Sequence, residues 1–266
     1  METFKRSIIS CLGEYASTVL IDSTFGPSLI SHFPKTCSPM MAYEADVYHI
    51  SDKDRITKLP ENLSISDFSK IGYKVLKFFM YYAPNDDSEI NNQKQKIIEN
   101  IGKECVANNI SFLMEPLVYD PIKRPGSLDY AFLKPELVEK ASKVFSQPKF
   151  NIDILKVEVP VDLSFVEGFG DPIMKQSDAI KCFKKASKAA GDIPLLYLSA
   201  GVSFDWFKAS INMAIEAEVD CSGFMCGRAL WSEAINIFGE KGKNGLEDWL
   251  KTVGRNRLQE LISLFN

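Results

Sequence analysis

Histidine is almost missing from this 266-residue chain: His32 and His49 are the only two, too few for an imidazole-built metal centre. Paired cysteine motifs are missing as well. Cys11, Cys37, Cys105, Cys182, Cys221 and Cys226 include no CxxC pair and sit in apolar surroundings. That spacing points to free thiols in a reducing compartment, the cytoplasm, and no metal or other cofactor is implied. No apolar run is long enough to cross a bilayer, and METFKRSIISCLGEY has too short an apolar stretch for a secretory leader. No long basic run occurs either. The 31 basic and 35 acidic residues are interspersed, giving a net charge of −4, so neither nucleic acid nor an anionic membrane surface has a footprint here. A small anionic ligand must therefore be held by a few local groups.

What is present is an alternation of two periodicities. Short apolar runs fall at 17–22 (STVLID), 39–44 (PMMAYE), 74–82 (KVLKFFMYY), 110–119 (ISFLMEPLVY), 153–159 (DILKVEV), 194–201 (PLLYLSAG) and 223–230 (GFMCGRAL). Each reads as a strand. Amphipathic helical stripes separate most of them. Ile90, Ile97, Ile98, Ile101 and Cys105 share one face, as do Leu137, Ala141, Val144 and Phe145 behind Pro135, expected near that helix's start. Ala179, Phe183, Ala186 and Ala190 form a third stripe, with Ser177 as its expected N-cap, and Phe207, Ile211, Ala214 and Ile215 form a fourth. Strands apolar on both faces, alternating with helices and broken by no linker, predict one α/β domain over residues 1–266 with a parallel sheet.

Two parallel architectures compete, an open doubly wound sheet and a closed (β/α)8 barrel. Repeats of roughly 35 residues favour the barrel. No GxGxxG follows the first strand, which disfavours a dinucleotide-binding sheet. Only seven strands are evident. The chain opens in a helix, with Phe4, Ile8, Ile9 and Leu12 on its apolar side, so the barrel is expected to be incomplete at its N-terminal end.

Charged residues inside the strands carry the functional signal. Side chains alternate along a strand, so Lys156 shares the inward face with Ile154 and Glu158, Lys77 with Val75, Phe79 and Tyr81, and Glu115 with Ser111 and Leu113. One such group reads best as a structural ion pair, Lys77 and Lys156 being neutralised by Glu115 and Glu158. Several together, at the mouth where barrel enzymes keep their sites, favour catalysis. A lysine is a nucleophile only when neutral, and burial beside a second cation favours that form. Attack on a ketone then gives an iminium, an electron sink for cleaving a carbon–carbon bond, with a carboxylate to shuttle protons. Further along, LSAG (198–201) and CGRA (226–229) leave backbone N–H groups open at strand ends, where this fold binds phosphate, and Arg228 adds a cation whose alternative role is a surface salt bridge.

These residues are recognisable together. NIDILKVEVPVDLSFVEGFG, SFLMEPLVYD, VLKFFMYY, NIGKECVANNI, YLSAGVS, MCGRALW and EYASTVLIDSTFG resemble, in order and over nearly the whole chain, the tagatose 1,6-bisphosphate aldolase family. The resemblance implies a metal-free Schiff-base aldolase on a (β/α)8 barrel, cleaving a ketose bisphosphate into the triose phosphates dihydroxyacetone phosphate and glyceraldehyde 3-phosphate. It places the Schiff-base lysine at Lys156, the acid/base glutamate at Glu115 and the second lysine at Lys77. The phosphate grip falls on Ser199, Ala200, Gly201, Gly227 and Arg228. The family's first strand, ending in an Asp-Gln-Arg type motif, has no counterpart, and Met1 aligns within the helix that follows it. A barrel open between STVLID and GFMCGRAL is thus expected to be less stable and poorly active. The competing reading is a catalytically impaired sugar-phosphate-binding or regulatory homologue; a third, an aldolase for sulfonated or deoxy sugar phosphates, fits SFVEGFG less well. Selectivity between tagatose and fructose bisphosphates, and a homo-oligomeric state, stay open.

Overall fold

The computed structural model describes residues 1–45, 50–51 and 53–265; His49 lies outside them. Seven strands form one sheet: β1 (Thr18–Ile21), β2 (Ser38–Ala42), β3 (Val75–Tyr82), β4 (Ser111–Val118), β5 (Ile154–Glu158), β6 (Leu195–Leu198) and β7 (Cys221–Met225). They pair in sequence order, and every pairing is parallel. The result is a half-barrel with β1 and β7 as its outer strands. Among the described residues no further strand joins them.

Helices connect and flank the strands: α1 (Glu2–Leu12), α2 (Gly26–Leu29), α3 (Ile65–Ile71), α4 (Ser88–Ala107), α5 (Leu128–Phe145), α6 (Gln176–Ala190), α7 (Phe204–Glu216), α8 (Arg228–Trp231), α9 (Glu233–Trp249) and α10 (Arg255–Ser263). Local chemistry sets several starts. Ser64 and Asp67 form a reciprocal capping box on α3, while Asp87, Ser127 and Ser203 accept backbone N–H groups at the starts of α4, α5 and α7. Three expectations fail here. Lys175, not Ser177, holds the N-cap position of α6, since Ser177 already lies within the helix. Pro135 sits inside α5, because Ser127 caps that helix two turns earlier than the apolar stripe suggests. β7 also begins two residues before the expected run, at Cys221.

The strand alternation sorts the side chains into two layers. Leu76, Phe78, Met80 and Tyr82 of β3, Phe112 and Met114 of β4, Leu155 and Val157 of β5, and Tyr197 of β6 all join the main core between sheet and helices. Phe183, Phe207, Ile211 and Ala214 meet them from the helix side. At roughly 1.5–3 kcal/mol per large apolar side chain, this outer layer is the main stabilising term of the fold. The opposite parity, Lys77, Phe79 and Tyr81 of β3, Glu115 of β4 and Lys156 of β5, is left for the concave interior. A smaller cluster of Phe4, Cys11, Leu12, Leu230, Ala234, Leu246, Leu250 and Leu258 ties α1 to α8, α9 and α10 beside the open edge.

Candidate active site

Lys77, Glu115 and Lys156 meet in the concave interior. One carboxylate oxygen, Glu115 Oε2, lies 3.0 Å from Lys77 Nζ and 3.1 Å from Lys156 Nζ. The three side chains are at most 10% exposed. Parallel pairing explains the meeting. Leu113 opposes both Lys77 on β3 and Ile154 on β5, so Glu115, two residues on, comes between the two lysine-bearing strands.

A fourth member, Glu44, completes the cluster. Its Oε1 is 2.5 Å from Lys77 Nζ, and its side chain is as buried as that of Lys77. Alternation through PMMAYE (Met40, Ala42, Glu44) carries the signal, for Ala42 pairs with Lys77 across β2 and β3. Glu44 lies beyond the end of β2, where periodicity alone loses its hold.

Glu158 does not neutralise either lysine. Its Oε2 accepts the Val118 N–H at 2.7 Å, and its Oε1 lies 4.0 Å from Lys134 Nζ. The reason is on β4: Pro116 has no N–H to give, the β4–β5 ladder stops at Met114–Leu155, and the Glu158 side chain bridges the strands where the ladder ends.

The four charges are unequal in consequence. Burial is the largest influence on Lys156 and lowers its pKa; Glu115 opposes that, Lys77 adds to it, and the net result is a lysine below its ordinary range. Burial alone would raise Glu115, but the ammonium groups of Lys77 and Lys156 override it and hold the carboxyl below its usual value. Burial opposes the charge on Lys77 too, yet Glu115 and Glu44 together keep that group firmly protonated. Burial raises both Glu44 and Glu158. The amine that gives up its proton most readily is therefore Lys156, beside an ionised carboxylate and a fixed cation.

Lys156 and Glu115 line a cavity of about 1500 Å³ that opens at the carboxyl ends of the strands and continues along the edge between β1 and β7. Asp22, Tyr81 and Glu158 line it as well. Sequence reasoning passed over Asp22, the residue after β1, although STVLID displays it; its carboxylate pairs with Lys5 of α1. The expected phosphate group also converges here, since Ser199, Ala200, Gly201, Gly227 and Arg228 all border the cavity. Ala200 and Gly201 both have positive φ, 49° and 82°, which turns the chain sharply after β6. A Cβ at Gly201 would stand 3.2 Å from Arg228 Cζ, so glycine there lets the guanidinium lie on the loop. Arg228 is exposed and borders the cavity, and among the described residues no carboxylate lies within 4.0 Å of it.

A parallel β/α half-barrel with a desolvated lysine, an ionised carboxylate and a second ammonium at the carboxyl ends of its strands is the framework of an α/β enzyme whose chemistry is carried by side-chain amines and acids. A family profile described as DeoC/LacD family aldolase matches residues 1–233. Tagatose 1,6-diphosphate aldolase of Staphylococcus aureus (strain MSSA476) is 39% identical over 264 residues, covering 98% of this chain and 81% of the relative. The chain belongs to the DeoC/LacD aldolase family. Among solved structures it resembles fructose-bisphosphate aldolase from Plasmodium falciparum in complex with TRAP and a small-molecule inhibitor, at a TM-score of 0.72 and 14% identity over 98% of this chain and 81% of that one. It also resembles an archaeal fructose-1,6-bisphosphate aldolase whose catalytic lysine carries the carbinolamine intermediate, with a TM-score of 0.62, 14% identity, and 97% and 82% coverage. Both likenesses concern the fold.

Proposed function

We propose that this chain is a Schiff-base aldolase that cleaves D-tagatose 1,6-bisphosphate into dihydroxyacetone phosphate and glyceraldehyde 3-phosphate. The observation that carries the reading is the Lys156 amine, desolvated on β5 and 3.1 Å from the Glu115 carboxylate at the wall of the cavity. Neutral Lys156 attacks the C2 carbonyl, and loss of water from the carbinolamine leaves an iminium. Glu115 moves the protons of that step and takes the C4 hydroxyl proton as the C3–C4 bond breaks. The bond's electron pair passes into the iminium to give an enamine, and glyceraldehyde 3-phosphate departs. Protonation at C3 and hydrolysis then release dihydroxyacetone phosphate and restore the amine.

Lys77 has a supporting part. Held as a cation by Glu44 and Glu115, it disfavours protonation of Lys156. Ser199, Ala200, Gly201, Gly227 and Arg228 receive the C1 phosphate through backbone N–H groups and the guanidinium. Six free cysteines suit a reducing cytoplasm, where we place the protein. No helix among the described residues is long and apolar enough to cross a membrane.

The test is borohydride reduction in the presence of dihydroxyacetone phosphate, followed by peptide mass analysis. The expected adduct is on Lys156, and Lys156→Ala and Lys156→Arg lose adduct and turnover together, because guanidinium stays protonated. An adduct on another lysine, or cleavage by the alanine variant, refutes the assignment.

A further inference from the structure

We propose that Arg55 is the residue that recognises the distal phosphate of the ketose bisphosphate, and so sets the preference for a doubly phosphorylated sugar. The proposal rests on the aldolase reading above. Its starting point is an unusual backbone: Arg55 has φ 50°, a left-handed conformation rare for a side chain of this size. The turn around it is built to hold that conformation. Arg55 N–H donates to the Ser51 carbonyl at 3.0 Å, and Ile56 N–H donates to Asp54 Oδ1 at 3.2 Å.

The strained residue delivers its guanidinium to the carboxyl ends of β3 and β4. Arg55 Cζ lies 4.4 Å from the ring centroid of Tyr119 and 5.7 Å from that of Tyr81. Tyr81 is itself part of the cavity wall. Tyr119 is pinned from behind. Its hydroxyl donates to Asp86 Oδ2 at 2.9 Å and accepts from Lys94 Nζ at 3.0 Å, and Lys94 is completely buried. The two rings meet edge to face at 82°, so the guanidinium is seated in the angle between them, closest to the Tyr119 ring, and this cation–π seat fixes where a planar, permanently charged donor group sits.

Spacing gives the reason for a phosphate there. Arg228 and the Ser199–Gly201 turn follow β7 and β6, on one side of Lys156, and Arg55 stands over β3 and β4 on the other. Strands neighbour one another at about 4.8 Å, so the β3 rim is roughly 10 Å across the sheet from Lys156 on β5. In a ketose bisphosphate tethered at C2, one phosphate is attached at the adjacent carbon and the other four carbons away, six bonds or roughly 7 Å when extended. The near phosphate reaches the β6–β7 side and the far one reaches the guanidinium's donors on the opposite rim.

The experiment compares native protein with Arg55→Gln and Arg55→Lys, using tagatose 1,6-bisphosphate, tagatose 1-phosphate and dihydroxyacetone phosphate. KM is measured for the two ketoses, and half-saturation of borohydride trapping is measured for the triose. The native protein is expected to prefer the bisphosphate over the 1-phosphate. Arg55→Gln is expected to reduce that KM preference about 10- to 100-fold, the range for a charge-assisted hydrogen bond. Arg55→Lys, which keeps the positive charge but not the planar fork, gives an intermediate preference. A merely structural arginine would weaken both ketoses and triose trapping in parallel. Such a parallel loss, or an unchanged preference in both variants with trapping intact, overturns the assignment. A native protein that traps no dihydroxyacetone phosphate and cleaves neither sugar overturns the aldolase reading itself, and this assignment with it.

Discussion

Removing the second ammonium from the interior gives the most direct measure of how Lys156 is kept neutral. Lys77 Nζ and Lys156 Nζ lie 3.0 and 3.1 Å from the same Glu115 oxygen, so they are no more than about 6 Å apart. At an effective dielectric near 20, two like charges at that separation repel by about 3 kcal/mol, roughly two pKa units. Lys77→Met alone would strand Glu44 beside Glu115, so the informative protein is Lys77→Met with Glu44→Gln, which removes one charge of each sign. Glu44 acts on Lys156 in the opposite sense and more weakly than Lys77. The net expectation is therefore an upward shift of the Lys156 pKa by about one to two units. The assay is the pH dependence of borohydride trapping with dihydroxyacetone phosphate. Its acidic limb should move to higher pH by that amount, and trapping at neutral pH should slow by roughly 10- to 100-fold. A limb that stays in place, or moves to lower pH, would refute the argument that Lys77 helps to keep the amine unprotonated.

Glu115→Gln should leave amine attack possible, since it removes the carboxylate that favours the charged form of Lys156, while slowing cleavage by roughly a hundredfold or more, the usual worth of a positioned acid/base group. Unchanged turnover with lowered stability would return Glu115 to a structural ion cluster. Arg228→Ala should weaken dihydroxyacetone phosphate binding by about 1.5–3 kcal/mol in calorimetry and leave the unliganded fold intact; equal affinity would remove Arg228 from the phosphate grip. Lys94, pushed down to about 8 by burial, gives a stability signature in pH. Below about pH 8 the folded chain carries a desolvated charge, and between about 8 and the ordinary value of 10.5 the unfolded chain binds a proton that the folded one has released. This destabilising contribution therefore fades as pH rises through that window. Lys94→Met should raise Tm at pH 7, with a gain that shrinks toward pH 10.5. A lower Tm at pH 7 would show that the Lys94–Tyr119 hydrogen bond outweighs the burial cost.

The sequence by itself determined the order of elements, the parallel sheet and which strand residues turn inward. Each of those rests on periods of two or 3.6 residues and on covalent alternation, which are local properties. Inward placement of Lys77, Glu115 and Lys156 was legible for the same reason, and so was the run of small residues that ends β6. Other features depended on neighbours distant in the chain. Ser177 looks like a cap and is not one, because the helix begins at Gln176 with Lys175 in the N-cap position, and its Ala179 and Phe183 are fixed in the main core. Glu158 has the right parity for the lysine cluster, yet the missing N–H of Pro116 on the next strand draws it to Val118 instead. Glu44 enters the cluster through the register of β2 against β3, and Arg55 reaches Tyr81 and Tyr119 through a turn whose left-handed residue no propensity specifies. Distances such as the 3.0 and 3.1 Å that join two lysines to one carboxylate oxygen follow from strand register and burial together. Those are products of long-range packing, so only the tertiary structure could decide which charges pair and which amine gives up its proton most readily.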